Sequence, residues 1–196
     1  MTGSSRDASR HGQHEGRDMQ EILSGMVAVL DQFVLFREAA LDPELKQLLD
    51  RQHRFMLEHY HLTLESFAAG RKPHRDTQAY LIPNLPPVKF GTSPAAPSAP
   101  IAQPSELTDK GIAGYALGLL KSQASLLAMT SLELAHPVCR RVVAAQVPDY
   151  IEMAYEAFLY LNGRGWYQVP ALPDAEAQRI ASSFAPQPRP AGASGR

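Results

Sequence analysis

The chain uses one layout twice: an apolar-periodic run, a proline that opens a second run, and a glycine that closes it. Pro43 and Gly70 mark the first copy, and Pro137 with Gly163 or Gly165 marks the second. Proline is tolerated in a first helical turn and glycine favours a C-terminal cap, so each copy reads as a helical hairpin. A hairpin used twice predicts an all-α chain of four helices.

The runs support that reading. Over 18–41, Ile22, Met26, Val29, Phe33, Phe36 and Ala40 step by three and four, which keeps them on one helical face. Asp42 is the expected N-cap of the next helix, 43–69, whose stripe holds Leu45, Leu48, Leu49, Gln52, Phe55, Met56, His59, Tyr60, Thr63 and Phe67. A third helix is expected to start at the cap Thr108 and end near Ala135. Its inner stripe includes Ile112, Tyr115, Ala116, Gln123, Leu127 and Leu134, and its outer side, with Leu117, Ala124, Ala128 and Leu132, is unusually apolar. The connector or a second subunit, as in a homodimer, must cover that side. The fourth helix, 137–161, is expected to bury Val143, Val147, Ile151, Ala154, Phe158 and Leu161. Arg141, Asp149, Glu152 and Glu156 should point out, and Pro148 should kink or divide it.

Between the hairpins, residues 71–105 change character, with prolines at 94, 97, 100 and 104. Proline at that density forbids a regular helix and gives a semi-extended connector. It is long enough to retrace a helix and link two parallel neighbours, as in ferritin-like bundles, with Tyr80, Leu81, Ile82 and Phe90 lying along the outside. The expected organisation is a disordered tail over 1–17 and an antiparallel four-helix bundle over 18–170. Within the bundle, hairpin one is 18–70, the proline-rich crossover 71–105 and hairpin two 106–170. Residues 171–196 form a mostly disordered tail with one short helix near Asp174.

A chain of 196 residues that is 44% hydrophobic suffices for one domain with a core. Its net charge of −1 offers no electrostatic footprint for nucleic acid or an anionic membrane. Cys139 stands alone, which excludes an intramolecular disulfide and a thiolate metal cluster. Residues 1–17 lack an apolar signal region, and no apolar run reaches the roughly 20 residues of a membrane span. Synthesis and folding in the cytosol are the expectation.

One constellation bears on chemistry. Glu58 and His61 form Glu-x-x-His, the pair that ferritin-like di-metal bundles repeat on two helices to hold iron or manganese. Both fall opposite the apolar stripe of their helix, and the matching position in the second copy, Glu152, is again on a polar side with Tyr155 in place of the histidine. His59 is the histidine that points inward. With Gln52 and Gln123 it is expected to form a core polar network, because a buried polar group costs about 1–3 kcal/mol without a partner. Glu58, His61, His59 and Glu152 are thus the weak metal candidates. No phosphate loop, Cys-x-x-Cys or nucleophile elbow occurs, and the expectation is a non-enzymatic protein without a cofactor.

The second half resembles a known family. Leu107-Thr108-Asp109-Lys110-Gly111-Ile112-Ala113, then Leu119-Leu120-Lys121, then Asn162-Gly163-Arg164-Gly165-Trp166-Tyr167 are similar to the start and end of the coat F domain of bacterial endospore coat proteins. The similarity covers about 107–170, and the first half looks like its diverged partner hairpin. Gly111 replaces the family's usual acidic residue. Ala154, Tyr155 and Glu156 stand where members often carry histidine and glutamate. The resemblance implies a ferritin-like bundle made in the mother cell and deposited in the spore coat, with a structural role and with other coat proteins or itself as partner. The alternatives are a ferritin-like metalloprotein or a helical adaptor that recruits a partner through residues 91–104.

Overall fold

The computed structural model describes residues 13–187; expectations for 1–12 and 188–196 lie outside those residues. Four long helices form the body: α1 (Gln13–Ala39), α2 (Pro43–Ala69), α3 (Asp109–Ser131) and α4 (Pro137–Gly163), followed by a short α5 (Asp174–Ser182). Helix α1 begins ahead of the expected position at Asp18, so part of the anticipated tail is helical. Within it, Glu15 is buried and accepts a hydrogen bond from the backbone N–H of His136 at 2.9 Å. A carboxylate there also suits the positive end of α4.

The caps explain the boundaries. Asp42 accepts from the Glu44 N–H at 2.9 Å with Pro43 at the first position of α2, and Gly70 closes that helix at φ 59° with its N–H on the Ser66 carbonyl. Thr108 accepts from the Gly111 N–H at 3.2 Å to open α3. Helix α4 runs unbroken through Pro148 instead of dividing there. Pro148 and Ala144, the residue whose carbonyl loses its helical donor, are both exposed, so water can take the missing bond.

The helices pack as two hairpins, α1 on α2 and α3 on α4, with cross-contacts of α1 on α3 and α2 on α4. The turn before α2 touches the start of α3, so α2 and α3 begin at the same end and run parallel. They occupy diagonal corners, not neighbouring ones, because each faces α1 and α4. Two hairpins and one long crossover give the ferritin-like topology.

By length and composition α1 is apolar enough to cross a bilayer, contrary to the expectation that no such run exists. Its Met19, Ile22, Met26 and Phe33 are nonetheless buried among the helices. Helix α4 departs furthest from its predicted face. Asp149 and Glu156, expected outside, are buried, while Ile151, expected inside, is 55% exposed. Covered by α2, α3 and the connector together, α4 buries an arc wider than any single stripe. Helix α3 also departs from its expected face: Tyr115 is exposed and Leu117 is buried.

Candidate functional site

The α2–α4 seam carries the buried polar groups. Along α2 it presents Gln52, Met56, His59, Thr63 and Ser66. Along α4 it presents Gln146, Asp149, Met153, Glu156 and Tyr160. Both sets step by three and four, the spacing that holds a face toward one neighbour. The connector supplies one more residue, Tyr80, which lies in this seam at 4% exposure while its neighbour Leu81 is 80% exposed.

Glu156 is the centre of the upper half. Its carboxylate accepts from the Arg51 guanidinium at 2.5 Å, from the Tyr80 hydroxyl at 2.5 Å and from the Gln52 amide at 2.9 Å. Gln52 also donates to the Met153 carbonyl, and Arg51 Nε donates to the Tyr80 oxygen at 3.2 Å. Burial, and then the bond to Glu156, push the Tyr80 hydroxyl well above the usual tyrosine range, so it remains a donor. Asp149, two turns below, accepts from the Tyr80 backbone N–H at 2.8 Å. One connector residue is therefore held by two carboxylates of α4, and its ring packs edge-on to Phe55 at 5.0 Å.

The lower half is less complete. His59 Nε2 lies 3.3 Å from Asp149 Oδ2, close enough for an ion pair but out of line for a hydrogen bond, and neither imidazole nitrogen has a hydrogen-bond partner. Gln146 donates to Thr63 Oγ1 at 2.8 Å and to the His59 carbonyl, while its own Oε1 and that of Gln52 are unpartnered.

The expected trio of Gln52, His59 and Gln123 does not assemble. Gln52 and His59 share the seam but bond to α4 partners. Gln123 packs instead between α3 and α1, where a side chain at Gly25 would meet its Oε1 at 3.1 Å. Helices α2 and α3 are diagonal, which puts the two amides in different seams. The metal candidates do not converge either. Glu58 is half exposed and pairs with Arg75 at 3.0 Å, while His61 and Glu152 are exposed. Among the described residues, no three or more His, Cys, Asp or Glu side chains come together as a metal site would require.

Asp149 and Glu156, the buried carboxyl groups of this seam, are legible in the sequence only as a spacing. They lie two helical turns apart in line with Gln146, Met153 and Tyr160, about 10 Å along the axis. That separation is too great for a shared proton or a bridging ion pair. Among the described residues the seam holds no nucleophile beside a base, and in its upper half Arg51 and Tyr80 donate to Glu156 while Gln52 donates to Glu156 and to the Met153 carbonyl.

The end of the bundle where α2 and α3 begin carries a second clasp. The Asp109 carboxylate accepts from the backbone N–H groups of Leu41 (2.8 Å) and Asp42 (3.1 Å), tying the first hairpin's turn to the second hairpin's start. Asp42 in turn accepts from the Tyr160 hydroxyl at 2.8 Å and from Arg164 at 2.5 Å, and Arg164 also reaches Glu44 at 2.8 Å. The Arg164 guanidinium sits 3.7 Å above the Tyr160 ring. The hydrogen bond from Tyr160, with help from Glu44 and Arg164, holds the Asp42 carboxyl below its usual range. Gly165, at φ 71°, turns the chain so that the N–H groups of Trp166 and Tyr167 return to the Leu161 carbonyl. Asn162 bonds to the connector at Lys89 through both its oxygen and its amide, and Gln168 bonds to Ser93.

The Thr-Asp start and the Asn-Gly-Arg-Gly-Trp-Tyr end thus meet in space through Asp42. A family model described as the Coat F domain matches residues 108–170, the segment these two motifs enclose. The spore coat protein F-like protein YhcQ of Bacillus subtilis (strain 168) is 42% identical over 175 residues, which are 89% of this chain and 81% of that protein. The chain belongs to the coat F family. No solved structure matches it. The aligned length also takes the coat F relationship well beyond the matched domain and into the first hairpin, which supplies Asp42 and Glu44 to the clasp. In this coat F protein the motif residues act as fasteners: Thr108 caps, Asp109 and Arg164 cross between hairpins, and Asn162 pins the crossover.

Proposed function

We propose that this chain is a non-enzymatic structural protein of the bacterial spore coat, made in the mother cell and assembled there with itself or with other coat proteins. Family membership supports the place, and the use of the polar groups supports the role. The observation that carries the reading is the double clasp. Asp109 and Arg164 staple one hairpin to the other, and Glu156 and Asp149 strap the crossover down, so the family's motif residues serve rigidity. A coat subunit has to keep its shape under stress, and directional, buried, charge-assisted bonds hold one arrangement more specifically than apolar packing alone.

A fluorescent fusion followed through sporulation tests this. The expected result is a shell of signal on the forespore that stays with the purified spore. Diffuse signal in the mother cell and bare spores would overturn the proposal. Elemental analysis of the purified chain is a second check, and close to two iron or manganese ions per chain would replace the structural reading with a ferritin-like metalloprotein.

A further inference from the structure

The outer face of the second hairpin carries a groove of about 500 Å³ between α3 and α4. Leu117, Ala124, Ala154 and Phe158 form its floor, Ile151 and Tyr155 stand exposed on one wall, and Lys121 stands on the other. Tyr167 closes the upper end, with its ring edge-on to Phe158 at 5.1 Å and 5.7 Å from the Lys121 ammonium. Among the described residues nothing covers this face: the connector crosses the α2–α4 side instead.

Helix α5 has the complementary shape. Ala177, Ile180 and Ala181 share one face of the helix, Phe184 follows in the turn just past its end, and all four are exposed, Ile180 at 45% and Phe184 at 77%. No residue of α5 is buried. The chain is pinned at Val169 by its pairing with Phe90 and Gly91. It then runs through Pro170-Ala171-Leu172-Pro173, in which two prolines stiffen the arm and hold the helix away from its own bundle. At 1.5 Å per residue, the nine residues of α5 are about 13 Å long, and the groove wall from Leu117 to Ser125 is about 12 Å. Asp174 at the start of α5 answers the charge of Lys121, while Glu176 pairs with Arg179 on its own helix.

We propose that α5 of one copy docks in the α3–α4 groove of a second copy. The contact is heterologous: each chain offers one helix and one groove, and they lie on different surfaces. Such a contact does not close on itself in a pair but propagates into a chain of subunits. A single short helix in a groove binds weakly, and repetition along an array makes it strong, which suits a protein that is soluble when made and fixed when concentrated. This rests on the reading of the chain as an assembling coat protein and names the surface that assembles.

Sedimentation velocity of the full chain over a wide concentration range tests it, using two sets of exposed substitutions whose helicity is checked by circular dichroism. Wild type is expected to grow past the dimer as concentration rises. Ile151→Glu, which spoils the groove, and the pair Ile180→Ser with Phe184→Ser, which spoils the helix, should each weaken association at least tenfold. Mixed one to one, the two variants should form heterodimers and stop there, because one intact groove and one intact α5 remain between them. The contact is overturned if wild type stays monomeric at the highest concentration, whether or not α5 has folded onto its own groove. A symmetric dimer that never grows, or variants that assemble like wild type, overturn it equally. The coat reading fails separately: a chain that assembles in this way but whose fusion stays diffuse in sporulating cells retains the contact and loses the location. Ile151→Glu reaching the coat as well as wild type, from a wild-type chain that is monomeric in solution, does the reverse.

Discussion

The two cross-seams of the bundle are built from opposite materials. Between α1 and α3, Met19, Ile22, Met26 and Phe33 meet Ile112, Ala116, Leu120 and Leu127 with Gln123 and Thr130 as buried polar exceptions, whereas between α2 and α4 amides, carboxylates and an imidazole alternate with methionines. Apolar packing is favourable in many registers, since burial scales with area and not direction. A carboxylate holding three donors is satisfied in one arrangement only. The seam that must also anchor a crossover is the directional one, and that crossover reaches it through Tyr80. Polarity here selects a geometry; the apolar seam supplies most of the driving force.

The largest effects separate the seams by how each is broken. Phe33→Ala should lower unfolding free energy by about 3–5 kcal/mol in chemical denaturation, through lost burial and a cavity. Glu156→Ala should cost about as much, 3–5 kcal/mol, because the donors of Tyr80 and Gln52 and the Arg51 charge lose their shared acceptor. The mechanisms diverge when the polar cluster is replaced as a unit. Arg51→Met, Gln52→Leu, Tyr80→Phe and Glu156→Met together should leave stability within about 1–2 kcal/mol of wild type or raise it. The same variant should be cut by protease within 71–105 much faster than wild type. If cleavage is unchanged, the polar seam does not hold the crossover and the contrast between the seams loses its point.

A smaller change sharpens the same contrast. Tyr80→Phe removes one hydroxyl and keeps the ring on Phe55, so it should cost about 1–2 kcal/mol in thermal or chemical unfolding. Smallest is the acid response of the end clasp. Because the folded carboxyl of Asp42 titrates below its unfolded range, its contribution is complete above about pH 4 and is lost as pH falls through the lowered folded value. Asp42→Asn, which keeps a good N-cap, should therefore lower the unfolding midpoint above about pH 4, where the carboxylate's contribution is complete, and flatten part of the stability loss below it. An unchanged acid profile in that variant would remove Asp42 from the clasp.

Much of this was readable in advance, for identifiable reasons. The α2 stripe is regular because one side of that helix faces the core, so Leu45, Leu49, Met56 and His59 fall where the period puts them. Caps are equally local: Asp42, Gly70 and Thr108 each act within three or four residues of themselves. Asp149 and Glu156 read as solvent-facing because charge along a helix ordinarily marks its wet side, and the cover that makes them internal comes from Tyr80, far away in the chain. Glu15 was lost in a polar tail for the same reason, since its partner is the N–H of His136. The companions of Gln123 are not legible in the sequence, because a helical period cannot tell an adjacent helix from a diagonal one.

Periodicity and local caps alone determined four helices in two hairpins, the starts of α2, α3 and α4, and the outward aim of Glu58, His61 and Glu152. Which polar side chains lie inside was decided only in three dimensions. Burial on α4 depends on what is laid over it, and the path of a proline-rich crossover, with no period of its own, is set by the carboxylates it finds there.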